Sequence, residues 1–223
     1  MLDKIKYRIA GECLQSFRDA DGKLTVLDVG CRDTILKSYL PKGTRYAGVD
    51  LFQNDQGTVD FVQDLTKGLP LDDQSWDVVT ALDVVEHIDD MQAALSELWR
   101  VCGRHLIVVL PNMAHIRYRL NFLLSGHTGT DKYDLVFPGN LDRHRWFTTV
   151  SQSDAYMRCF AESAGADLEI LHATESPSKA RLAQIARMFG LGPQFWAWTS
   201  IYILSRRLDS VQYRSPHKAL AQK

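Results

Sequence analysis

Two spacings alternate along the chain: apolar residues three or four apart, and short unbroken apolar runs. The first marks amphipathic helices and the second buried strands. Ile5, Ile9, Cys13 and Phe17 predict a helix within residues 1–22, broken at Asp21-Gly22. Residues 24–29 read as a strand running into an acid, a glycine and a polar turn, Asp28-Val29-Gly30-Cys31-Arg32-Asp33. A helical pattern over 34–40 follows and is stopped by Pro41. Residues 44–50, 59–63 and 76–82 are three further strands. A helix over about 88–102 places Ile88, Met91, Leu95, Leu98 and Cys102 on one side, with Gly103 as its expected stop. Residues 105–110 form a fifth strand, apolar enough for the middle of a sheet, and Pro111-Asn112 ends it. Helices over about 115–124, 151–164 and 179–189 and strands over 167–173 and 196–205 complete the pattern. Strand and helix alternate through the first five strands, which predicts an α/β fold: a parallel sheet with helices on both faces.

Residues 126–147 lack a clear period and hold Gly126, Gly129, Pro138 and Gly139 among polar and aromatic residues. A loop this long in a small domain is usually functional, and it is read as a cover inserted over a site. The expected organisation is one domain over 1–206, with an N-terminal helix and this cover, then a polar tail over 207–223. The chain has 223 residues, 45% of them hydrophobic, enough for one substantial core but tight for two. Its formal net charge of -1 demands neither nucleic acid nor an anionic surface. Cys13, Cys31, Cys102 and Cys159 are scattered with no CxxC pair, as expected for free thiols in a reducing compartment. The first residues lack the apolar core of a signal peptide, and no apolar run nears the roughly 20 residues that span a bilayer. A soluble, cytoplasmic protein is expected.

Three acids stand at successive strand ends: Asp28, Asp50 and Asp64. A carboxylate at the second such position suits the two hydroxyls of a ribose, and one at the third can accept from an adenine amino group. Asp also ends strands because it makes turns, so any one of the three says little. All three in order suggest an adenosine-containing ligand across the strand tips.

These residues carry a family resemblance. Val26-Leu27-Asp28-Val29-Gly30-Cys31, Gly48-Val49-Asp50, Gln63-Asp64-Leu65 and Trp76-Asp77-Val78-Val79-Thr80-Ala81-Leu82-Asp83-Val84-Val85-Glu86-His87 resemble class I S-adenosylmethionine-dependent methyltransferases. Pro111-Asn112 and the helix after it are similar to the MetW-like and ubiquinone-type branches. The resemblance implies a Rossmann-like, seven-stranded, mostly parallel sheet whose last strand is antiparallel, and S-adenosylmethionine as cofactor. It implies Asp28 and Gly30 near the methionine part, Asp50 and Leu51 at the ribose, Asp64 and Leu65 at the adenine, and Leu82 and Asp83 on the methyl side. The family's second and third loop glycines are replaced here by Arg32 and Thr34. The expected turn therefore passes further from the ligand or adopts another geometry. Arg32 either turns inward to pair a guanidinium with the methionine carboxylate or stays in solvent. A nicotinamide dehydrogenase would need glycines where Arg32 and Ile35 stand.

A hydroxyl acceptor benefits from a general base or a metal that lowers its pKa. The candidates are Glu86, His87, His115 and His144, with His87 first because histidine titrates near neutral pH. Asp83-x-x-Glu86-His87 with a later histidine resembles metal-dependent small-RNA 2′-O-methyltransferases and some ubiquinone-type enzymes, where these positions hold a divalent cation. The same Glu-His pair also packs the strand–helix turn of methyltransferases without a metal, and that is the reading adopted: no metal ligands are assigned. Trp146 and Phe147 wall the acceptor pocket or join the core. Arg117, Arg119, Arg143 and Arg145 make the mouth of the site basic, while Lys179, Arg181 and Arg187 lie on an amphipathic helix that covers the sheet or rests on anionic lipid. The expected function is O-methylation of a small-molecule acceptor. A non-catalytic methyltransferase-like module is the alternative, with a nucleic-acid methyltransferase behind it because the charge does not favour that partner.

Overall fold

Alternate residues along each central strand face opposite sides of one sheet, and both sides are covered. In the computed structural model, which describes residues 4–18, 21–133, 142–174 and 177–207, the sheet has seven strands. They are β1 (Thr25–Val29), β2 (Arg45–Asp50), β3 (Phe61–Val62), β4 (Trp76–Leu82), β5 (Cys102–Pro111), β6 (Ala166–Ala173) and β7 (Thr199–Arg206). Their order is β3-β2-β1-β4-β5-β7-β6. β1 to β5 pair in parallel, and β7 is antiparallel to both β5 and β6. The order reverses at β1 and β4, where a doubly wound sheet opens a crevice at its carboxyl edge.

On one face Leu27, Val29, Val79, Ala81, Leu106 and Val108 pack against α2 (Met91–Val101) and α4 (Val150–Ser163). On the other, Val26, Val78, Ile107, Val109, Ile201 and Ile203 pack against α1 (Lys4–Ser16). α3 (Ile116–Ser125), α5 (Pro177–Met188) and the short α6 (Pro193–Trp196) follow β5 and β6 at the carboxyl edge. Asp90 starts α2 by accepting from the Ala93 amide, and Thr149 starts α4 by accepting from Gln152.

Several elements differ from the sequence expectation, each for a local reason. The buried stripe of α1 is Tyr7, Ala10, Cys13, Leu14 and Phe17, while Ile5 and Ile9 flank it. Residues 34–40 form a single 3-10 turn (Ile35–Tyr39) instead of a helix, with only Leu36 buried. β3 keeps two residues, both exposed. α2 begins at Met91, and Val85–His87 before it is a separate 3-10 turn. Gly103 stops nothing: α2 runs directly into β5, and a Cβ at Gly103 would lie 3.0 Å from the Gln74 carbonyl. α6 was not foreseen, and β7 starts at Thr199. Of the expected cover, residues 134–141 lie outside the described residues, as does the tail beyond 207. The described flanks include the turn Asp131–Tyr133 and residues 142–147, which dock on the tip of β4.

Candidate active site

The β1 turn keeps a glycine-loop geometry with one of its three glycines. Gly30, Arg32 and Thr34 have φ of 74°, 46° and 54°, all left-handed. Arg32 and Thr34 therefore adopt the backbone that glycine would take freely. Gly30 is required for contact as well, because a Cβ there would lie 2.3 Å from a Val84 methyl. The strained turn is pinned from outside. The Asp50 carboxylate accepts from the Arg32 amide at 2.7 Å, and Asn54 donates to the Arg32 carbonyl at 2.8 Å. The Arg32 side chain is 72% exposed and faces Asp142 at 3.9 Å.

The three acids have three different roles in the fold. Asp28 is buried and accepts from Thr80 Oγ1 at 2.8 Å and the Tyr46 hydroxyl at 3.0 Å. Burial raises its pKa from 3.8 to about 6 against those hydrogen bonds. Asp50 holds the turn as described, and Leu51 and Phe52 after it are exposed. Asp64 accepts from the Thr66 hydroxyl and amide, which hold its pKa below the usual range, and buried Leu65 anchors this turn. The residues fit an adenosyl cofactor. Amides line a left-handed turn, Asp50 keeps spare lone pairs, and exposed Leu51, Phe52 and Val62 offer apolar surface beside it.

Leu82 is buried, and Asp83 follows it at φ 59°. Lys6 of α1 reaches this tip, donating to Asp83 Oδ2 at 2.8 Å and to the Leu82 carbonyl at 3.2 Å. No sequence signal singled out Lys6.

Glu86 lies at the centre of the strand-four tip. It is 0% exposed, and neither carboxylate oxygen has a hydrogen-bond partner among the described residues. Burial, then the nearby Asp83 charge, hold its carboxyl well above the ordinary range. Residues 142–147 close over it: the amides of Arg145 and Trp146 donate to the Glu86 carbonyl, and Trp146 Nε1 donates to the Ile88 carbonyl at 2.8 Å. This brings His144 edge-on to His87, with ring centroids 4.7 Å apart. Both tautomers follow from their partners. His87 Nδ1 lies 3.0 Å from the Arg143 carbonyl, which only accepts, so Nδ1 carries the hydrogen. The Tyr133 hydroxyl donates to the Trp146 carbonyl at 2.7 Å and so accepts from His144 Nδ1 at 3.1 Å. Each imidazole thus keeps a bare Nε2. Burial lowers the pKa of His87, and lowers that of His144 to about 4, so both rings are neutral at pH 7. Ligand atoms of Glu86, His87 and His144 lie within 4.8 Å of one another, a set able to hold a cation.

His115 makes its contacts elsewhere. Its Nδ1 accepts from the Arg117 amide, and its ring packs on Tyr118 and Trp198. Tyr133, whose hydroxyl orients His144, was missed because it sits in the aperiodic stretch. A cleft of about 740 Å³ opens beside the cluster, walled by Met91, Leu110, Trp146, Phe147 and Tyr156, with Asp89 at its rim.

This fold matches known proteins. Residues 27–108 match the family described as a methyltransferase domain. No curated protein sequence matches the chain. Among solved structures, an S-adenosylmethionine-dependent methyltransferase from Archaeoglobus fulgidus is similar at 18% identity, with a TM-score of 0.59 over 92% of this chain and 95% of that one. The methyltransferase domain of bacterial CtHen1 is similar at 20% identity, with a TM-score of 0.58 over 92% and 100%. The magnesium protoporphyrin IX methyltransferase of Synechocystis PCC 6803, solved with S-adenosylhomocysteine, is similar at 17% identity, with a TM-score of 0.55 over 91% and 84%. Residues 27–108 carry the methyltransferase domain, on the fold of solved S-adenosylmethionine-dependent methyltransferases, so the chain is an enzyme. The similar structures include S-adenosylmethionine-dependent enzymes, and the residues at the β1 turn fit that cofactor. Among the described residues no helix is long and apolar enough to cross a membrane.

Proposed function

We propose that the enzyme methylates a hydroxyl oxygen of a small molecule, held in the cleft beside Trp146 and Phe147. The similar structures include a porphyrin methyltransferase and the CtHen1 domain, so the fold leaves the acceptor to the site. The observation that carries this reading is the neutral His87 with its bare Nε2 at the strand-four tip. The cofactor supplies an electrophilic methyl group. His87 Nε2 takes the hydroxyl proton as the oxygen attacks, while the Arg143 carbonyl fixes the ring through Nδ1. Asp28, Asp50 and Asp64 bind the cofactor, together with Gly30, the Arg32 backbone, Leu51, Leu65, Leu82 and Asp83. Residues 142–147 close over Glu86 through the Arg145 and Trp146 amides.

Turnover to S-adenosylhomocysteine against a panel of phenols, catechols and sugars tests the reading. His87→Ala is expected to lower kcat by about 10²–10⁴-fold with cofactor affinity unchanged. In the parent enzyme kcat is expected to fall on the acid side, below the ordinary histidine range. Turnover confined to amines or thiols would end the O-methylation reading.

A second reading is favoured by the two unpartnered oxygens of Glu86: a divalent cation held by Glu86, His87 and His144. Such an ion would lower the acceptor's pKa in place of a base and would keep Glu86 ionised. Dialysis against a chelator separates the two. Activity lost and restored by manganese, magnesium or zinc supports the cation, and unchanged activity supports His87 alone.

A further inference from the structure

Two helices at the active edge carry large apolar side chains that stand in solvent. α3 follows β5 and α5 follows β6, and both strands run parallel to β4, so the helices share the edge of the reaction cluster. α6 links them: Arg119 of α3 lies 4.8 Å over the Phe195 ring, and Arg187 of α5 lies 4.1 Å over Trp196. α3 has no buried residue at all, and its Leu123 and Leu124 are 78% and 82% exposed. In α5 and the turn that ends it, Ile185, Met188 and Phe189 are spaced three and four apart and share one exposed face, with Arg181 a turn earlier. Met188 and Phe189 are 85% and 81% exposed, and contiguous exposed apolar surface marks an interaction site.

Charge chooses the occupant. No Asp or Glu occurs between Glu97 and Asp131, or between Glu175 and Asp209. The two helices carry Arg117, Arg119, Lys179, Arg181 and Arg187. Over the whole chain acids slightly outnumber Lys and Arg, 27 to 26, so the imbalance belongs to these segments. A second copy docked through the same face would oppose like charges. The chain's own 208–223 segment is also basic, with Arg214, Lys218 and Lys223 against Asp209. Anionic headgroups answer the basic residues, and the acyl boundary accepts Leu123, Leu124, Met188 and Phe189.

We infer that α3 and α5 form a docking surface for an anionic lipid bilayer. The surface lies at the same carboxyl edge of the sheet as the residues that wall the acceptor cleft, which suits an amphiphilic acceptor delivered from the lipid. Docking does not depend on methyl transfer and is read without it.

The test is co-sedimentation of the full chain with vesicles of equimolar phosphatidylcholine and phosphatidylglycerol, against phosphatidylcholine alone. Binding to the anionic vesicles is expected, weakening by about tenfold or more when salt rises from 0.05 to about 0.5 M. Met188→Asp with Phe189→Asp, and separately Leu123→Asp with Leu124→Asp, are each expected to abolish it. Thermal unfolding and S-adenosylmethionine binding should stay as in the parent, because these side chains are exposed. Absent binding, equal binding to both vesicle types, or binding unaffected by both double substitutions would overturn the proposal. So would self-association without lipid that the same substitutions abolish.

Discussion

Thr34 is a β-branched residue at φ 54°, and a side chain there crowds its own carbonyl by about 1–2 kcal/mol. Thr34→Gly is expected to raise stability by about 1 kcal/mol after the extra freedom of the unfolded glycine is subtracted, read as an upward shift of the urea midpoint. Arg32, at φ 46°, should respond in the same direction. At Asp28 the folded pKa, about 6, lies above the unfolded value of about 3.8. The folded state therefore holds its proton longer, so the group's contribution is most favourable below about pH 4 and is lost as pH rises through about 6. The full difference is about 3 kcal/mol at neutral pH. Asp28→Asn removes it: relative to the parent, the variant should gain stability progressively between about pH 4 and 7, as measured by urea unfolding at each pH. The strand-end acids were legible in sequence because apolar runs stop at them. Their work on the protein's own backbone and hydroxyls was not, since the Asp50 bond to the Arg32 amide depends on a left-handed turn where the loss of two glycines pointed to another geometry or a turn further from the ligand.

Elements were legible where one periodicity had one cause. β4 and β5 are mostly apolar because both faces are covered; β4 has the expected limits, and β5 begins three residues earlier than expected, at Cys102. α1 was placed correctly with its buried stripe displaced, because Ile5 and Ile9 outweighed small Ala10 in a reading by hydrophobicity alone. On the true stripe, Lys6 lies four residues before Ala10 and so continues it to the tip of β4. Its ammonium therefore fastens α1 to the active edge through Asp83, with side-chain exposures of 12% and 29%. Partial burial strengthens such a pair relative to a surface one, while desolvation takes back part of the gain. A double-mutant cycle of Lys6→Met and Asp83→Asn is expected to give a coupling of about 1–2 kcal/mol in unfolding free energy. Additive effects would mean that α1 is held by packing alone.

At the scale of the whole molecule, strand–helix alternation gave the parallel half of the sheet, whereas the antiparallel β7 came only through family resemblance, because pairing between β5 and β7 leaves no periodic trace. What joins the two halves at the active edge is polar and equally silent in a hydrophobic pattern. Buried Asn112, just past β5, donates to the carbonyls of Ala197 at 2.7 Å and Gln194 at 3.1 Å, and accepts from the Ala114 amide at 3.1 Å. One side chain thereby ties β5, the approach to α3 and the end of α6. Asn112→Ala strands those carbonyls and that amide, and is expected to lower stability by about 2–3 kcal/mol. The loss should be local before it is global. Amide hydrogen exchange is expected to speed at Ala114 and Ala197 by more than it does in β1 and β2, and vesicle binding through α3 and α5 should weaken with it, because Arg119 and Arg187 stack on the α6 aromatics that Asn112 positions. Equal acceleration in β1 and β2 would show instead that Asn112 supports the domain as a whole and not the active edge.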